Sequence, residues 1–111
     1  MNSLKIIGVG AAALLIASPA ARAAAPASWT QHCASCHGAD GAGQTKMGHK
    51  LGVKDLTDAA YQKSFTDDQL FKNLKGGETD ADGKVRMKPF ADKLPDGDIK
   101  ALVAYVRTLS K

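Results

Sequence analysis

Cysteine and aromatic residues are scarce in this chain of 111 residues. It has two cysteines, one tryptophan, two tyrosines and three phenylalanines. A disulfide between Cys33 and Cys36 would close a very small loop and would stabilise the fold little. Because a domain this small buries a limited fraction of its surface, a large apolar group at its centre would supply the core that these few aromatic side chains cannot.

Strand patterns and a strong net charge are also missing. No run of four to eight alternating β-branched residues occurs in the sequence, and such runs are the usual signal of a strand. The formal net charge is only +4, and acidic and basic residues are interspersed. Charge therefore gives no support for nucleic-acid binding.

Residues 1–23 have the layout of a secretory signal peptide. Lys5 gives the segment a short positive start, and an uncharged run follows from Ile6 to Ala17. The Ala21-Arg22-Ala23 segment fits a cleavage site after Ala23. The run is shorter than the ~20 residues of a spanning helix, which disfavours a retained anchor. We expect a periplasmic mature domain, residues 24–111, with no stable membrane insertion. Its 13 basic and 11 acidic residues give a net charge of +2.

The mature part reads as short helices joined by glycine-rich loops, which predicts an all-α domain of about three to five helices. The clearest start is Thr66, which with Gln69 three residues later forms a capping-box pattern, and the helix ends at Gly76-Gly77. The predicted helices are 27–36 with Ser28 as a possible cap, 58–64, 66–76, and a last one from 96 or 97 to 110; the predicted loops are 38–54 and 78–95.

The last of these helices has the most regular pattern. Its apolar residues recur at i, i+3, i+4, i+7 and i+10, which is one face of a helix; they are Ile99, Leu102, Val103, Val106 and Leu109. Its first turn follows Pro95, so either Asp96 caps a helix that starts one residue later or no side chain caps it. We expect this helix to bury that face.

The segment Cys33-Ala34-Ser35-Cys36-His37 carries the chemistry. A thioredoxin-type dithiol would need a preceding strand, and a zinc site would need a second pair of ligands at suitable spacing. The CxxCH pattern is typical of covalent c-type haem attachment. Because residues i, i+3 and i+4 share one side of a helix, Cys33 and Cys36 can reach the two vinyl groups of one haem while His37 binds its iron.

The second axial ligand decides what such an iron does. The candidates are Met87, Met47, His49, His32 and the lysines. Met87 lies 50 residues beyond His37, far enough to reach the other face of the ring, and Pro89 stiffens the chain after it. Met47 and His49 are expected to be partly exposed loop residues, and His32 an exposed helix residue.

The segments CASCHGADGAG, MKPF and DIKALVAYVRTL resemble the class I cytochrome c family, bacterial single-haem type, over about residues 29–109. The resemblance implies a haem wrapped by a few helices, with the N- and C-terminal helices crossing at Trp29 and Tyr105. By position, Cys33 and Cys36 are the thioether sites, His37 the proximal iron ligand and Met87 the distal one. It also implies the following pocket or core residues: Leu51, Val53, Leu56, Leu70, Leu74, Phe90 and Leu94.

This chain departs from the family at the residue that orients the proximal imidazole. In the family a carbonyl, commonly that of a proline after the motif, does so, but no proline occurs here between His37 and Pro89. Some other carbonyl in the 46–52 region is expected to replace it.

A second pattern, residues 78–83, resembles the start of a calcium loop. The match fails because the glutamate expected at position twelve is Pro89.

These features predict a periplasmic one-electron carrier, a monomer and not an enzyme, with one covalent haem c under His/Met ligation. Its partners would be donor and acceptor redox proteins, docked at a haem edge flanked by basic residues: Lys46, Lys50, Lys72, Lys75, Lys84, Arg86 and Lys88. Two alternatives stay open. The chain could be a haem subunit of a larger dehydrogenase or oxidase complex, or a haem sensor with a labile sixth ligand.

Overall fold

A computed structural model of the chain describes residues 8, 10 and 24–111. The predicted signal peptide therefore lies outside the described residues, except for Gly8 and Gly10. The described part contains six short helices and one two-stranded hairpin. None of its helices is long and apolar enough to cross a bilayer.

The first predicted helix is divided in two. α1 (Ala27–His32) and α2 (Ala34–His37) meet at Cys33, whose φ of −116° departs from helical geometry. The N–H groups of Cys36 and His37 both donate to the Cys33 carbonyl, at 3.3 and 2.9 Å. The prediction that Ser28 caps this segment is wrong, because the cap position is Pro26 and Ser28 lies within α1.

The glycine-rich segment 38–54, predicted as a loop, contains α3 (Lys46–Leu51). Thr45 caps this helix by accepting a hydrogen bond from the Gly48 N–H at 2.8 Å. Gly52 ends it in the left-handed conformation, with φ of +65°, which glycine adopts without a steric penalty.

The next two predicted helices are present. α4 (Ala59–Gln62) is capped by Asp58, and α5 (Asp67–Gly76) begins with the predicted capping box. Gln69 donates its N–H to the Thr66 hydroxyl at 3.1 Å and its side chain accepts from the Thr66 N–H at 2.8 Å.

Residues 78–95 are not wholly irregular, contrary to the prediction. β1 (Glu78–Thr79) pairs antiparallel with β2 (Val85–Met87), with Glu78 opposite Met87. Asp80 organises the turn between them, because its Oδ1 accepts hydrogen bonds from the N–H groups of Asp82 and Lys84 at 2.9 and 3.0 Å. No cluster of three or more acidic, histidine or cysteine side chains that could hold a metal occurs in the described part.

α6 (Asp96–Thr108) packs against α1 and α5. It begins after Pro95 with no side-chain cap, the second of the two predicted alternatives. The predicted apolar face is confirmed, since all five residues are buried. The buried hydrophobic residues of the described chain are Trp29, Cys33, Leu56, Leu74, Phe90, Ile99, Leu102, Val103, Val106 and Leu109.

Candidate haem site

A cavity of about 950 Å³ lies between the CxxCH segment and the hairpin. This volume is at the upper end of the range of about 300–1,000 Å³ for small-molecule and cofactor sites. Cys33, Cys36 and His37 line it from one part of the chain, and Met87 and Phe90 from another. A second cavity of about 160 Å³ is also lined by Cys33, His37 and Met87. The four residues predicted to hold a haem are thus brought together.

The two cysteines are free thiols in different environments. Cys33 is buried, and this burial, reinforced by the charge of Cys36, raises the pKa of Cys33 to about 11. Because the thiolate is the reactive form in disulfide exchange, Cys33 is unsuited to the dithiol chemistry that the motif alone left open. No strand precedes it in the described chain.

The backbone of the motif is held by the loop that follows it. The Gly43 N–H donates to the His37 carbonyl at 2.7 Å, and the Thr45 hydroxyl donates to the Cys36 carbonyl at 2.7 Å. α3 approaches so closely that a Cβ on Gly48 would lie 2.5 Å from the Cys36 carbonyl oxygen. These contacts fix where the His37 side chain leaves the backbone.

The His37 ring lies in an apolar environment. Its centroid is 5.9 Å from that of Trp29, which packs edge-on against Tyr105 at 5.1 Å. Burial lowers the pKa of His37, so its imidazole is neutral at neutral pH, as iron ligation requires. Trp29 and Tyr105 meet between α1 and α6, as the resemblance implied.

The Nδ1 atom of His37 is buried and has no hydrogen-bond partner among the described residues. The prediction that a carbonyl from residues 46–52 orients this imidazole is therefore wrong, since none of them accepts a hydrogen bond from it. A buried polar atom without a partner is uncommon in folded proteins. A neutral, half-buried imidazole and two free thiols at one cavity form a donor set that fits a haem c.

Met87 is the last residue of β2, half-buried and packed against the core. Gly77, at φ of +76°, brings the end of α5 so close that an added Cβ would lie 2.7 Å from the Met87 carbonyl oxygen. The Phe90 N–H donates to the Leu74 carbonyl at 3.0 Å, which ties the chain after Met87 to α5. Met87 therefore comes from a strand anchored on a helix, not from the irregular loop that was predicted.

The other candidate ligands differ in exposure. Met47 lines the large cavity but is 44% exposed, and His49 is exposed on α3. The prediction that His32 is an exposed helix residue is wrong, because it is partly buried, and its ring centroid lies 5.5 Å from that of Phe90. Of the pocket residues that the resemblance implied, Leu51, Val53, Leu56 and Phe90 line the large cavity, Leu70 and Leu74 the small one, and Leu94 packs against the core.

Charged side chains also line the large cavity, and the sequence predicts two of them, Arg86 and Lys88, only as part of a docking surface. Arg86 and Lys88 flank Met87, and Glu78, Lys54 and Lys93 complete the set. A cationic majority at the cavity wall suits a cofactor that carries carboxylates. The other three positions, Lys54, Glu78 and Lys93, become neighbours of the cavity only through the fold, so no sequence pattern indicates them.

Comparisons with known proteins agree with this geometry. The family model described as "Cytochrome c" matches residues 22–110. Cytochrome c-553 of Nitratidesulfovibrio vulgaris (strain DSM 19637 / Miyazaki F) is 34% identical over 112 residues, which cover 98% of this chain and 100% of that protein.

Solved structures give the same result. The KustC0563 c-type cytochrome matches with a TM-score of 0.63 and 35% identity, over 75% of this chain and 93% of its own. A tyrosine-to-phenylalanine mutant of Kustc0563 matches with a TM-score of 0.60 and 34% identity, over 74% and 93%. The chain belongs to the cytochrome c family and is an all-α haem protein that carries electrons through covalently bound haem c.

Proposed function

We propose that the mature chain is a periplasmic one-electron carrier whose haem is bound by thioethers at Cys33 and Cys36 and whose iron is ligated by His37 and Met87. The observation that carries this proposal is the convergence of these four side chains on one cavity, although Met87 lies 50 residues beyond His37. Met47 also lines that cavity, but its side chain is more exposed than that of Met87.

The proposed ligands suit electron transfer for two reasons. A thioether sulfur is neutral and soft, so it favours the reduced iron and raises the reduction potential. Two protein ligands on anchored elements also leave little room for movement at the site when its charge changes. When bound, the haem supplies the one-electron couple; the chain supplies its orientation, its apolar surroundings and its exclusion of water.

The residues around the ligands support rigidity on both sides. Gly43 fixes the backbone of His37 and Thr45 that of the preceding Cys36, and Met87 is fixed by its packing beside Gly77. The small number of aromatic residues is consistent with a cofactor that completes the core. We propose that donor and acceptor redox proteins dock at the cavity edge, where cationic side chains would attract acidic partners.

The proposed location depends on residues 1–23. Cell fractionation should place the haem-containing protein in the periplasm, and mass spectrometry of the purified protein should give a chain that starts at Ala24 with one haem added. A cytoplasmic protein with residues 1–23 still attached would contradict this part of the proposal without affecting the ligand assignment.

The ligand assignment can be tested by optical spectroscopy of the oxidised holoprotein. We expect a far-red charge-transfer band from iron and methionine sulfur, lost in Met87→Ala and retained in Met47→Ala. Met47 is a suitable control because it is the other methionine that lines the cavity. A high-spin wild-type spectrum with immediate carbon monoxide binding to the reduced protein would refute His/Met ligation and favour a sensor.

A further inference from the structure

The hairpin that carries Met87 is too short to be stable alone. β1 has two residues and β2 has three, and isolated two-stranded hairpins are marginal even when longer. Its position must therefore come from contacts with the rest of the chain. On one side, Phe90 and Ala91 donate backbone hydrogen bonds to α5, at 3.0 and 3.1 Å.

On the other side, a side chain of the hairpin forms a hydrogen bond with α3. Arg86 Nη1 donates to the carbonyl oxygen of Leu51, the last residue of α3, at 2.9 Å and across 35 residues of sequence. Arg86 Nε donates to Asp80 Oδ2 at 3.2 Å. One guanidinium thus joins the turn of the hairpin to the end of α3, and we call this pair of contacts the Arg86 bridge.

The Arg86 bridge joins two walls of the cavity. Leu51 lies on the α3 wall, which follows the CxxCH segment, and Arg86 lies on the hairpin wall beside Met87. The carbonyls in the last turn of a helix have no partner within the helix, and a cation there is favourable. Arginine suits the role because its planar group can donate to two acceptors at once, which the single ammonium of lysine does less well.

We propose that Arg86 is a positioning residue that keeps Met87 at the iron by holding the hairpin wall to the α3 wall. This rests on the proposed ligation by Met87. Without the bridge, the hairpin remains attached to α5 but its cavity side opens more often. Met87 then leaves the iron more often, and small ligands bind there faster.

The test uses the oxidised holoprotein and imidazole as the incoming ligand. Arg86→Gln should bind imidazole about tenfold faster than the wild type, a factor in keeping with the loss of a partly exposed, charge-assisted hydrogen bond. Arg86→Lys should fall between the two. Lys84→Gln is the matched control, because it removes the same charge from the same hairpin, and its side chain forms no ion pair in the described chain.

A second measurement follows the hairpin itself. Amide exchange of Asp80, whose N–H donates to the Lys84 carbonyl at 2.9 Å, should be several-fold faster in Arg86→Gln and unchanged in Lys84→Gln. If Arg86→Gln fails to fold, Asp80→Asn serves instead, because it removes the ion pair and leaves the bond to Leu51. Asp80→Asn should then increase the rates of imidazole binding and of amide exchange by less than is expected for Arg86→Gln.

The outcomes separate this inference from the proposed function. A wild-type spectrum without the methionine band would refute the ligation by Met87, whereas amide exchange would still report whether the bridge holds the hairpin. If the methionine band is present, and Arg86→Gln and Lys84→Gln have the same rates of imidazole binding and of amide exchange, the positioning role is overturned. Faster amide exchange with unchanged imidazole binding would also overturn it.

Discussion

Arg107 is expected to be the most important polar side chain for the stability of the domain. It lies on α6 and donates hydrogen bonds to the carbonyls of Gln62 and Phe65, the latter at 2.7 Å, and to Asp67 Oδ1 at 2.6 Å. Its guanidinium also lies 4.4 Å from the centre of the Phe65 ring. Truncation by Arg107→Ala would release the segment between α4 and α5 from α6.

The magnitude can be worked from these contacts. A hydrogen bond from a charged donor contributes about 1.5–3 kcal/mol, and Arg107 makes two to backbone carbonyls, besides one to the side-chain oxygen Oε1 of Gln62 at 3.0 Å. The Asp67 pair adds little, because that carboxylate is 71% exposed and surface pairs contribute about 0–1 kcal/mol. Since the Arg107 side chain is itself 29% exposed, we discount the sum and expect a loss of about 2–4 kcal/mol.

The assay is urea denaturation of the holoprotein followed by far-ultraviolet circular dichroism, with Lys100→Ala as the control on the same helix. Lys100 is exposed and its replacement should change stability by less than about 0.5 kcal/mol. For a domain of this size, a loss of 3 kcal/mol corresponds to roughly 12–24 °C in Tm. An Arg107→Ala protein within about 1 kcal/mol of the control would refute the reasoning.

Two further predictions concern close packing and pH. Gly48→Ala places a Cβ against the Cys36 carbonyl and should destabilise the holoprotein by about 1–3 kcal/mol in the same assay. Gly97→Ala is the control, because a Cβ there meets open space, and it should not destabilise the holoprotein. Equal effects of the two substitutions would contradict the packing argument. Hydrogen bonds, first that of the Lys84 N–H, lower the pKa of Asp80. Their contribution is therefore complete above the ordinary pKa of about 3.9 and is lost as the pH falls through the lowered value. After correction for intrinsic exchange, exchange of the Lys84 amide should accelerate below about pH 4, and Asp80→Asn should remove that pH dependence. The same pH profile in both proteins would argue against this role of Asp80.

Local patterns predicted the parts of the fold that local physics determines. The Thr66 capping box needs only hydrogen bonds within the first turn of its helix, and the apolar face from Ile99 to Leu109 is buried as its spacing predicts. α3 was missed because its flanking glycines suggested a loop, although Thr45 was available as a cap. Its stability comes from contact with the CxxCH segment, which the sequence of α3 alone does not reveal.

The candidate site also contains residues that a local pattern predicts and residues that only the tertiary fold brings together. The CxxCH spacing is local, so Cys33, Cys36 and His37 could be predicted as a unit. Met87 could be proposed only by its distance from His37 and by family resemblance. The bond from Arg86 to the Leu51 carbonyl spans 35 residues and depends on how the hairpin lies against α3. No pattern within either segment predicts it.

The distribution of the core along the chain has a consequence for synthesis. Five of the ten buried hydrophobic residues, Ile99 to Leu109, lie in the last thirteen residues. Trp29, beside His37, is packed by Tyr105 from that segment. A growing chain therefore carries both thiols long before Cys33 can be buried in the completed core. Tyr105 can pack against Trp29 only when the C-terminal helix has been released, so a fragment that ends before α6 would present the motif on an unfolded chain.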